Sequence, residues 1–329
     1  MCRSAEAESD RIYGLPEAPT FGSREIGRQV RRRLAPLLPQ KLRRFIRLLK
    51  RAEFYTPLVD VAEVERDRAR VFDRARQVLG IDLNDAGQRA LFDELVPLYS
   101  KVPFPDLKHS GMRYYFLNPS FPCPDAIMLY SIMRRFRPHR IVEFGCGFSS
   151  CVMLDTIERF LNGTVHCTFV DPYPALLRSL VRPGDLEYHS LVPRRAQDTP
   201  LSMIEGLKEN DILFIDSTHV VKTGSDVHHL LFEAIPRLKP GVLVHFHDMF
   251  WPFEYPENWI FEQCFSWNEL YAVRAFLHYN TEFEILFFTN WFQEQHEHLL
   301  RLNMPLCLRG GGGSLWLRRR ARSTAVGGV

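Results

Sequence analysis

The sequence lacks the long apolar run and the paired cysteines that mark several classes of protein. No apolar run approaches the roughly 18 residues of a membrane-spanning helix, and the first residues show no apolar core of a secretory signal. The seven cysteines are an odd number, and no two of them form a CxxC pair. Cysteines scattered inside apolar patterns, as Cys167 is, are typical of reduced core thiols. These absences predict a cytoplasmic protein without a zinc site.

Positive and negative side chains nearly balance along the chain, except at its start. All 329 residues together carry a net charge of +3. Residues 1–52 hold 13 Lys and Arg against 5 Asp and Glu, so they carry +8 and the remainder sums to −5. The length suffices for one large α/β domain of roughly 200–220 residues with an accessory region. The basic excess belongs to the N-terminal segment and says little about the rest.

The N-terminal third predicts an accessory region over 1–109, followed by the main domain over 110–320 and a flexible tail over 321–329. Residues 1–27 are polar, rich in Gly and Pro, and expected to be poorly ordered. Apolar residues at i, i+3, i+4 and i+7 predict an amphipathic basic helix within 40–52. That helix either makes a weak contact with an anionic membrane surface or docks on its own domain with a solvated basic face. Further helices are expected over 61–79, 84–99 and 126–136, with an aromatic, proline-rich connector at 110–126.

The chain is organised around residues 140–150, RIVEFGCGFSS. An apolar run containing Glu143 reaches a turn with Gly145 and Gly147, and hydroxyl residues beginning at Ser149 open a helix. The glycines let the backbone approach a ligand closely, and free N–H groups at the helix start can bind it. This strand, glycine turn and helix predict a nucleotide-type cofactor site.

Regular alternation of strands and helices continues after this turn and predicts a parallel sheet covered by helices. Strands are predicted at 165–170, 186–191, 211–215, 242–246, 283–288 and 314–318, with helices at 175–180, from 202, and at 226–238, 268–279 and 294–302. The stretch 251–267 is too aromatic and proline-rich for a regular element. Its aromatic side chains are expected to form a lid over an acceptor or a protein interface.

Four of the strand ends carry acids, namely Glu143, Asp171, Asp216 and Asp248. Acids collected at one edge of a sheet must be hydrated or paired, which indicates a function there. Asp171, 21 residues after Ser150, is placed to bind both ribose hydroxyls of an adenosine, or it is a turn residue before Pro172. Glu143 is expected to accept a hydrogen bond from a ligand ammonium or from loop amides. Asp198 is expected either to bind the exocyclic amine of adenine or to cap a helix.

These segments resemble the class I S-adenosylmethionine-dependent methyltransferases. The resemblance lies in Glu143-x-Gly145-x-Gly147, in Asp171, in DILFIDS for the fourth strand and in the closing FEILFF…GGSLWLRR. The segments DSTHVVKTGSDV, LKPGVLVHFHDMFWPFEYP and WNELYAVRAFLHYN are more narrowly similar to the bacterial methyltransferase-24-like group. The resemblance covers about 110–320 and implies a Rossmann-like, seven-stranded, mostly parallel sheet with an antiparallel last strand. It implies S-adenosylmethionine as cofactor, with cofactor contacts at Glu143, Gly145, Gly147, Ser149, Asp171, Asp198 and Asp216.

The same resemblance implies a site for Mg²⁺ or another divalent metal. In metal-dependent O-methyltransferases of this fold the metal is held by carboxylates at the ends of the fourth and fifth strands, which map to Asp216 and Asp248. The chain departs from that pattern at His247, where a second adjacent aspartate often stands. Histidine is a poor ligand for Mg²⁺. His247 or His219 is alternatively a general base that takes the proton of a hydroxyl acceptor. His245 is expected to pack in the core.

The leading hypothesis is a methyltransferase acting on a hydroxyl of a small-molecule or glycan-like acceptor. One alternative is an NAD-type oxidoreductase, which the serine at the third glycine position of GxGxxG disfavours. Another is a non-catalytic protein that binds a cofactor or a partner on the same fold. No Asn-Pro-Pro-aromatic motif is present, so no nucleic-acid substrate is expected.

Overall fold

A central sheet runs through the part of the chain that the computed structural model describes, residues 56–321. Its strands are β1 (Arg140–Phe144), β2 (His166–Val170), β3 (Ser190–Val192), β4 (Ile212–Ile215), β5 (Leu243–Phe246), β6 (Phe283–Phe288) and β7 (Leu315–Arg319). The strand order is β3-β2-β1-β4-β5-β7-β6. β7 pairs antiparallel with both of its neighbours, and the other pairs are parallel. This confirms the Rossmann-like, mostly parallel sheet with an antiparallel last strand.

The central strands are apolar without alternation because helices flank the sheet. All four residues of β4 and of β5 are buried, and so are four of the five residues of β1. Near-continuous apolar runs are typical of parallel strands that are covered on both faces. β3, at the edge of the sheet, has no buried residue. The core therefore lies along β1, β4 and β5, the strands whose ends carry most of the acids.

The helices follow the chain order around this sheet. They are α1 (Val61–Arg66), α2 (Arg68–Val71), α3 (Asp85–Tyr99), α4 (Cys123–Phe136), α5 (Phe148–Phe160), α6 (Ala175–Leu180), α7 (Asp185–Tyr188), α8 (Ser202–Glu205), α9 (Asp226–His229), α10 (Glu257–Phe261), α11 (Glu269–Leu277), α12 (Thr289–Gln295) and α13 (Glu297–Asn303). α4 packs against α5, and α3 packs against α4 and β6. No helix within 56–321 is long and apolar enough to cross a membrane.

The order of the strands reverses between β1 and β4, and the turn after β1 lies against the end of β4 at that point. Gly145 has φ +83°, and a Cβ on it would lie 1.6 Å from the backbone oxygen of Asp216. The backbone N–H of Asp216 in turn donates to the carbonyl of Phe144 at 2.9 Å. A reversal of strand order opens a crevice at the carboxyl ends of the strands, where ligands bind in open α/β sheets.

Two predicted elements are shorter than expected because short polar side chains form local turns. The helix expected over 61–79 ends by Val71, since the Asp73 carboxylate accepts the N–H of Ala75 at 2.9 Å and turns the chain. Half of the strand expected at 186–191 is the end of the short helix α7, and β3 begins only at Ser190. There Gly184 has φ +93°, and the Asp185 carboxylate accepts the N–H of Arg182 at 2.6 Å.

Three further expectations need correction in their details. The helix expected over 226–238 is regular only as α9 and continues as a π-helix over Leu230–Ala234 and a 3₁₀-helix over Ile235–Arg237. Pro236 causes this change, since it lacks the N–H that a regular helix needs and its ring crowds the preceding turn. The helix expected over 294–302 is two helices, α12 and α13, that meet at His296. The irregular stretch 251–267 contains α10.

Several predictions lie outside the described residues. These are the disordered segment 1–27, the basic helix within 40–52 and most of the tail 321–329. Among the described residues, those from Val61 to 321 belong to one compact unit. The division into an accessory region over 1–109 and a methyltransferase domain over 110–320 stays a prediction.

Candidate active site

A cleft of about 330 Å³ opens where the glycine turn meets the end of β4. Its walls come from the turn after β1, the start of α5, the loop after β2 and the loop after β4. The lining residues are Ser120, Phe121, Phe144, Gly145, Cys146, Gly147, Phe148, Ser149, Val170, Asp171, Pro172, Tyr173, Leu176, Ala196, Asp216, Ser217, Thr218 and Asp226. Five predicted cofactor residues, Gly145, Gly147, Ser149, Asp171 and Asp216, are therefore brought together in one cleft.

Asp171 joins the glycine turn to the loop after β2. One carboxylate oxygen accepts the N–H of Cys146 at 3.2 Å, and the other accepts the N–H of Tyr173 at 2.7 Å. The contact with Tyr173 agrees with the alternative stated from the sequence, in which Asp171 is a turn residue before Pro172. The carboxylate also lines the cleft, so it can accept hydrogen bonds from a ligand as well as from the backbone.

Glu143 lies under the cleft and does not line it. Its side chain is fully buried, and its two oxygens accept the hydroxyls of Ser149 and Ser150, each at 2.5 Å. Burial raises the pKa of Glu143 to about 8, although the two hydroxyls act in the opposite direction. The carboxyl group thus fixes the first turn of α5 behind the glycines, and its contact with a ligand ammonium stays a prediction.

Asp198 is not among the residues that line the cleft. It ends the 3₁₀-helix Ala196–Asp198 and forms an ion pair with Arg195, at 2.7 and 2.9 Å. The structure brings Ala196 of the same turn into the cleft instead. Sequence reasoning also missed Asp226, whose carboxylate accepts the N–H and the hydroxyl of Thr218 at the cleft wall. The predicted contact of Asp198 with adenine stays a prediction.

A cluster of acids and histidines adjoins the cleft through Asp216. Nε2 of His219 lies 3.4 Å from a carboxylate oxygen of Asp216 and 3.3 Å from one of Asp248. Nδ1 of His247 lies 3.6 and 3.4 Å from oxygens of the same two carboxylates. The four predicted chemistry-bearing residues of β4, β5 and their loops thus meet at one place.

Two buried carboxylates behind the histidines were missed by the sequence reasoning. Glu269, at the start of α11, contacts Nδ1 of His219 at 2.8 Å. Asp125, in the first turn of α4, contacts Nε2 of His247 at 3.2 Å. It also accepts the N–H groups of Gly313 and Ser314 at 2.8 and 3.0 Å, where the chain enters β7. Each contact joins residues at least 50 positions apart, so no local pattern reveals it.

Backbone conformation fixes two members of this cluster. His219 has φ +57° and Asp248 has φ +58°, a region that residues with a side chain rarely adopt. The carbonyl of His219 accepts the N–H groups of Asn268 and Glu269, at 3.0 and 3.1 Å, which holds the loop in place. Strain of this kind persists where the surrounding contacts over-determine a functional geometry.

The carboxylates control the charge of the two imidazoles. Burial alone would lower the pKa of His219, but Asp216, Glu269 and Asp248 raise it to about 10. Burial likewise opposes a charge on His247, while Asp248 and Asp216 raise its pKa well above the usual range. Burial would raise the pKa of Asp216, but the two histidines hold it well below its usual range. The cluster therefore attracts positive charge.

The aromatic stretch 251–267 packs beside this cluster. Phe253 and Tyr255 are buried, and the Tyr255 hydroxyl accepts the N–H of Leu270 at 3.1 Å. The Trp267 ring lies 4.4 Å from the His219 ring, centroid to centroid. His245, by contrast, is fully buried away from the cleft, stacked on Phe214 with its Nε2 2.8 Å from the Ser314 hydroxyl. The wall next to His219 is thus aromatic.

Comparison with known families finds a match over the middle of the chain. Residues 142–249 match the model of a methyltransferase domain family. An uncharacterized protein of Archaeoglobus fulgidus is 33% identical over 166 residues, which cover 48% of this chain and 73% of that protein. Residues 142–249, which match the family model, contain the glycine turn, Asp171, and the acids and histidines after β4 and β5.

Two solved structures with bound cofactor or product are similar at a much lower level. The O-methyltransferase TomG from Streptomyces achromogenes, involved in tomaymycin synthesis and solved with SAM, is 14% identical. The overlap covers 74% of this chain and 93% of TomG, with a TM-score of 0.39. The SAH-bound methyltransferase PaMTH1 of Podospora anserina is 16% identical over 82% of this chain and all of that chain, with a TM-score of 0.40. Overlap at this level is too loose to transfer the role of any residue.

Proposed function

Since the chain belongs to the class I S-adenosylmethionine-dependent methyltransferases, we propose that it transfers a methyl group to a hydroxyl of a small-molecule or glycan-like acceptor. One observation carries the proposal. The cleft that suits the methyl donor and the cluster that suits the acceptor share the side chain of Asp216. Methyl transfer needs the two substrates in line and in contact, and this arrangement supplies adjoining sites for them.

The donor would lie over the glycine turn. Asp171 lines the cleft and can accept hydrogen bonds from ribose hydroxyls while it keeps its backbone contacts. Gly145 and Gly147 leave room for the backbone to approach the amino-acid portion of the donor. Tyr173 and Leu176, both exposed and both in the cleft wall, offer apolar surface for the adenine.

The acceptor hydroxyl would lie at Asp216, His219, His247 and Asp248. The C–O bond forms as the bond between carbon and the sulfonium sulfur breaks, and the hydroxyl proton passes to a base of this cluster. The sulfonium is already activated, so the protein mainly aligns the reactants and removes the proton. The Trp267 ring beside His219 offers a face on which a sugar or an aromatic acceptor can pack.

The same cluster fits a divalent cation. One donor atom each of Asp216, His219 and Asp248 lies within 4.8 Å of the others. These residues would hold the ion, and when bound it would lower the pKa of a coordinated acceptor hydroxyl. The protein residues orient the acceptor toward the donor cleft, and the aromatic wall excludes water from it.

Calorimetric titration with S-adenosylhomocysteine tests the donor site. We expect binding to the wild type and a loss of about 10- to 100-fold in affinity for Asp171→Ala, because hydrogen bonds to a charged group contribute about 1.5–3 kcal/mol. Asp93→Ala serves as the control, since Asp93 lies exposed on α3 far from the cleft residues in sequence. Circular dichroism checks that each variant folds.

Each result decides a separate point. If the wild type binds NAD and does not bind S-adenosylhomocysteine, the methyltransferase assignment is overturned. Equal affinity in the wild type and Asp171→Ala would remove Asp171 from the donor site. Methyl transfer itself is checked by release of S-adenosylhomocysteine with hydroxyl-bearing acceptors, and transfer only to amine acceptors would contradict O-methylation.

A further inference from the structure

We propose that Asp216, His219 and Asp248 form a mixed nitrogen and oxygen centre that selects a divalent first-row transition ion over Mg²⁺, with Glu269 as the residue that positions His219. The proposal deepens the proposed function, because it concerns the acceptor side of the same site. It differs from a site of two strand-end carboxylates by adding an imidazole ligand and its buried partner.

The spacing of the donor atoms is the first support. Nε2 of His219 lies 3.4 Å from Asp216 and 3.3 Å from Asp248, which is longer than an ordinary N–H···O hydrogen bond. Two donors at that separation subtend an angle of ~105° at an ion held about 2.1 Å from each, close to tetrahedral. The donors are thus too far apart to bind one another well and suitably spaced to share an ion.

The orientation of His219 is the second support. Glu269 contacts Nδ1 at 2.8 Å, so Nε2 is the ring nitrogen that faces the two aspartates. The backbone of Glu269 also donates to the carbonyl of His219, at 3.1 Å. Histidine ligands of metals typically donate their second N–H to a carboxylate, which fixes the ring and strengthens it as a ligand.

The local charge is the third support. Four buried or half-buried carboxylates, Asp125, Asp216, Asp248 and Glu269, surround two imidazoles. Within residues 56–321, each ion pair found at these carboxylates is with His219 or His247, and none is with Lys or Arg. Buried anions need a partner charge, and a divalent ion among Asp216, His219 and Asp248 would supply it.

The donor set decides which ion is favoured. Mg²⁺ prefers oxygen ligands in near-octahedral geometry and binds imidazole poorly, whereas Zn²⁺, Co²⁺ and Fe²⁺ accept nitrogen readily. The prediction from the sequence that zinc is absent rests on the cysteine pattern alone. The proposed centre contains no cysteine, so that pattern does not bear on it. Three protein ligands leave a position open for an exchangeable oxygen ligand, as in catalytic rather than structural metal centres.

Titration of the chelator-treated full-length protein with Co²⁺, followed by its ligand-field absorption, tests the proposal without an activity assay. We expect one equivalent to bind, Zn²⁺ to displace it, and Mg²⁺ in large excess to leave the spectrum unchanged. His219→Gln should lose at least 100-fold in affinity. Glu269→Gln, which keeps a hydrogen-bonding group beside the ring, should lose about 10- to 100-fold, the usual cost of removing a carboxylate behind a ligand.

The control is His298→Gln, an exposed histidine on α13, which should bind Co²⁺ as the wild type does. Circular dichroism and the S-adenosylhomocysteine titration on the same samples show whether each variant is folded. Displacement of Co²⁺ by equimolar Mg²⁺, or wild-type affinity in His219→Gln, would overturn the proposal. Binding of S-adenosylhomocysteine without any Co²⁺ binding would overturn this inference alone, and the reverse would overturn the methyltransferase proposal alone.

Discussion

At the scale of single residues, the turn after β1 requires glycine at position 145. A Cβ there would lie 1.6 Å from the Asp216 carbonyl oxygen, at a φ of +83°. We expect Gly145→Ala to lower the free energy of unfolding by about 3 kcal/mol or more, since steric overlap adds to the backbone strain. Gly163→Ala is the matched control, because Gly163 has φ +66° with nothing within 4 Å of a Cβ.

Gly163→Ala should cost only the ~1–2 kcal/mol of a left-handed backbone with a side chain. Denaturant unfolding of both variants measures the difference, and titration with S-adenosylhomocysteine shows whether the turn still binds. Equal losses in the two variants would mean that the close approach of Gly145 to β4 contributes nothing.

The buried carboxyl group of Glu143 should make the free energy of unfolding depend on pH. Burial raises its pKa to about 8 from an ordinary 4.5, so the folded protein favours the neutral carboxyl. The stability that this group contributes is therefore fully present below about pH 4.5 and is lost as the pH rises toward 8. We expect Glu143→Gln to be more stable than the wild type by about 3–5 kcal/mol at pH 8 and nearly equal to it near pH 4.5.

Urea unfolding at the two pH values measures this difference. The control is Glu187→Gln, the same substitution at an exposed position on α7. If Glu143→Gln loses stability equally at both pH values, the carboxylate is charged in the folded state and its two serine contacts outweigh its burial.

At the scale of elements, the connector before α4 is fastened to α5 by one buried ion pair. The Asp155 carboxylate accepts the N–H groups of Arg113 and Tyr114, each at 2.9 Å, and contacts the Arg113 guanidinium at 2.8 Å. We expect Asp155→Ala to cost about 3–5 kcal/mol, because it removes one partner of a buried guanidinium and leaves the buried N–H groups of Arg113 and Tyr114 without their acceptor. Glu158 contacts the same guanidinium but its side chain is 49% exposed.

Glu158→Gln is therefore the matched control and should cost under ~1 kcal/mol, the range of exposed ion pairs. Thermal unfolding of both variants measures the contrast. A similar small loss in both would mean that Asp185, the third partner of Arg113, holds the connector by itself.

The elements also show how far the sequence predicts the structure. The apolar runs of β1, β4 and β5 are local signals, and they predicted the sheet correctly. The glycine turn is also a local signal and lines the cleft, while its role as a cofactor site stays a prediction. The strand expected at 186–191 forms only from Ser190 onward, because the residues before it form α7, whose Asp185 contacts Arg113, 72 positions away. Asp125 and Glu269 went unrecognised because their partners are 122 and 50 positions away. Contacts of this range depend on tertiary structure, which residue spacing does not encode.

At the scale of the whole molecule, α3 packs against the sheet, although the sequence predicts that it is part of an accessory region. Leu91, Phe92 and Leu95 are buried, and the Gln88 side chain accepts the N–H of Phe288 in β6 at 2.7 Å. β6 lies at the edge of the sheet, where unpaired backbone groups need such cover. Removing α3 would delete three large apolar side chains, each contributing about 1.5–3 kcal/mol when buried, and would expose the surface that they cover.

We therefore expect a chain that starts at residue 61 to unfold cooperatively and to bind S-adenosylhomocysteine, and a chain that starts at 110 to fail in both. Calorimetric unfolding and ligand titration of the two chains make the comparison. If the shorter chain folds and binds, the predicted domain boundary at 110 is correct and α3 is an accessory element.

The contact between Gly145 and Asp216 has a consequence for how this protein can diversify. Because two backbones touch there without an intervening side chain, the sheet itself sets the offset between the cleft and the cluster of acids and histidines. Replacement of side chains in the surrounding loops leaves that offset unchanged. Under the proposed function, exchange of the aromatic stretch 251–267 would admit a different acceptor while the offset between the two sites stays the same.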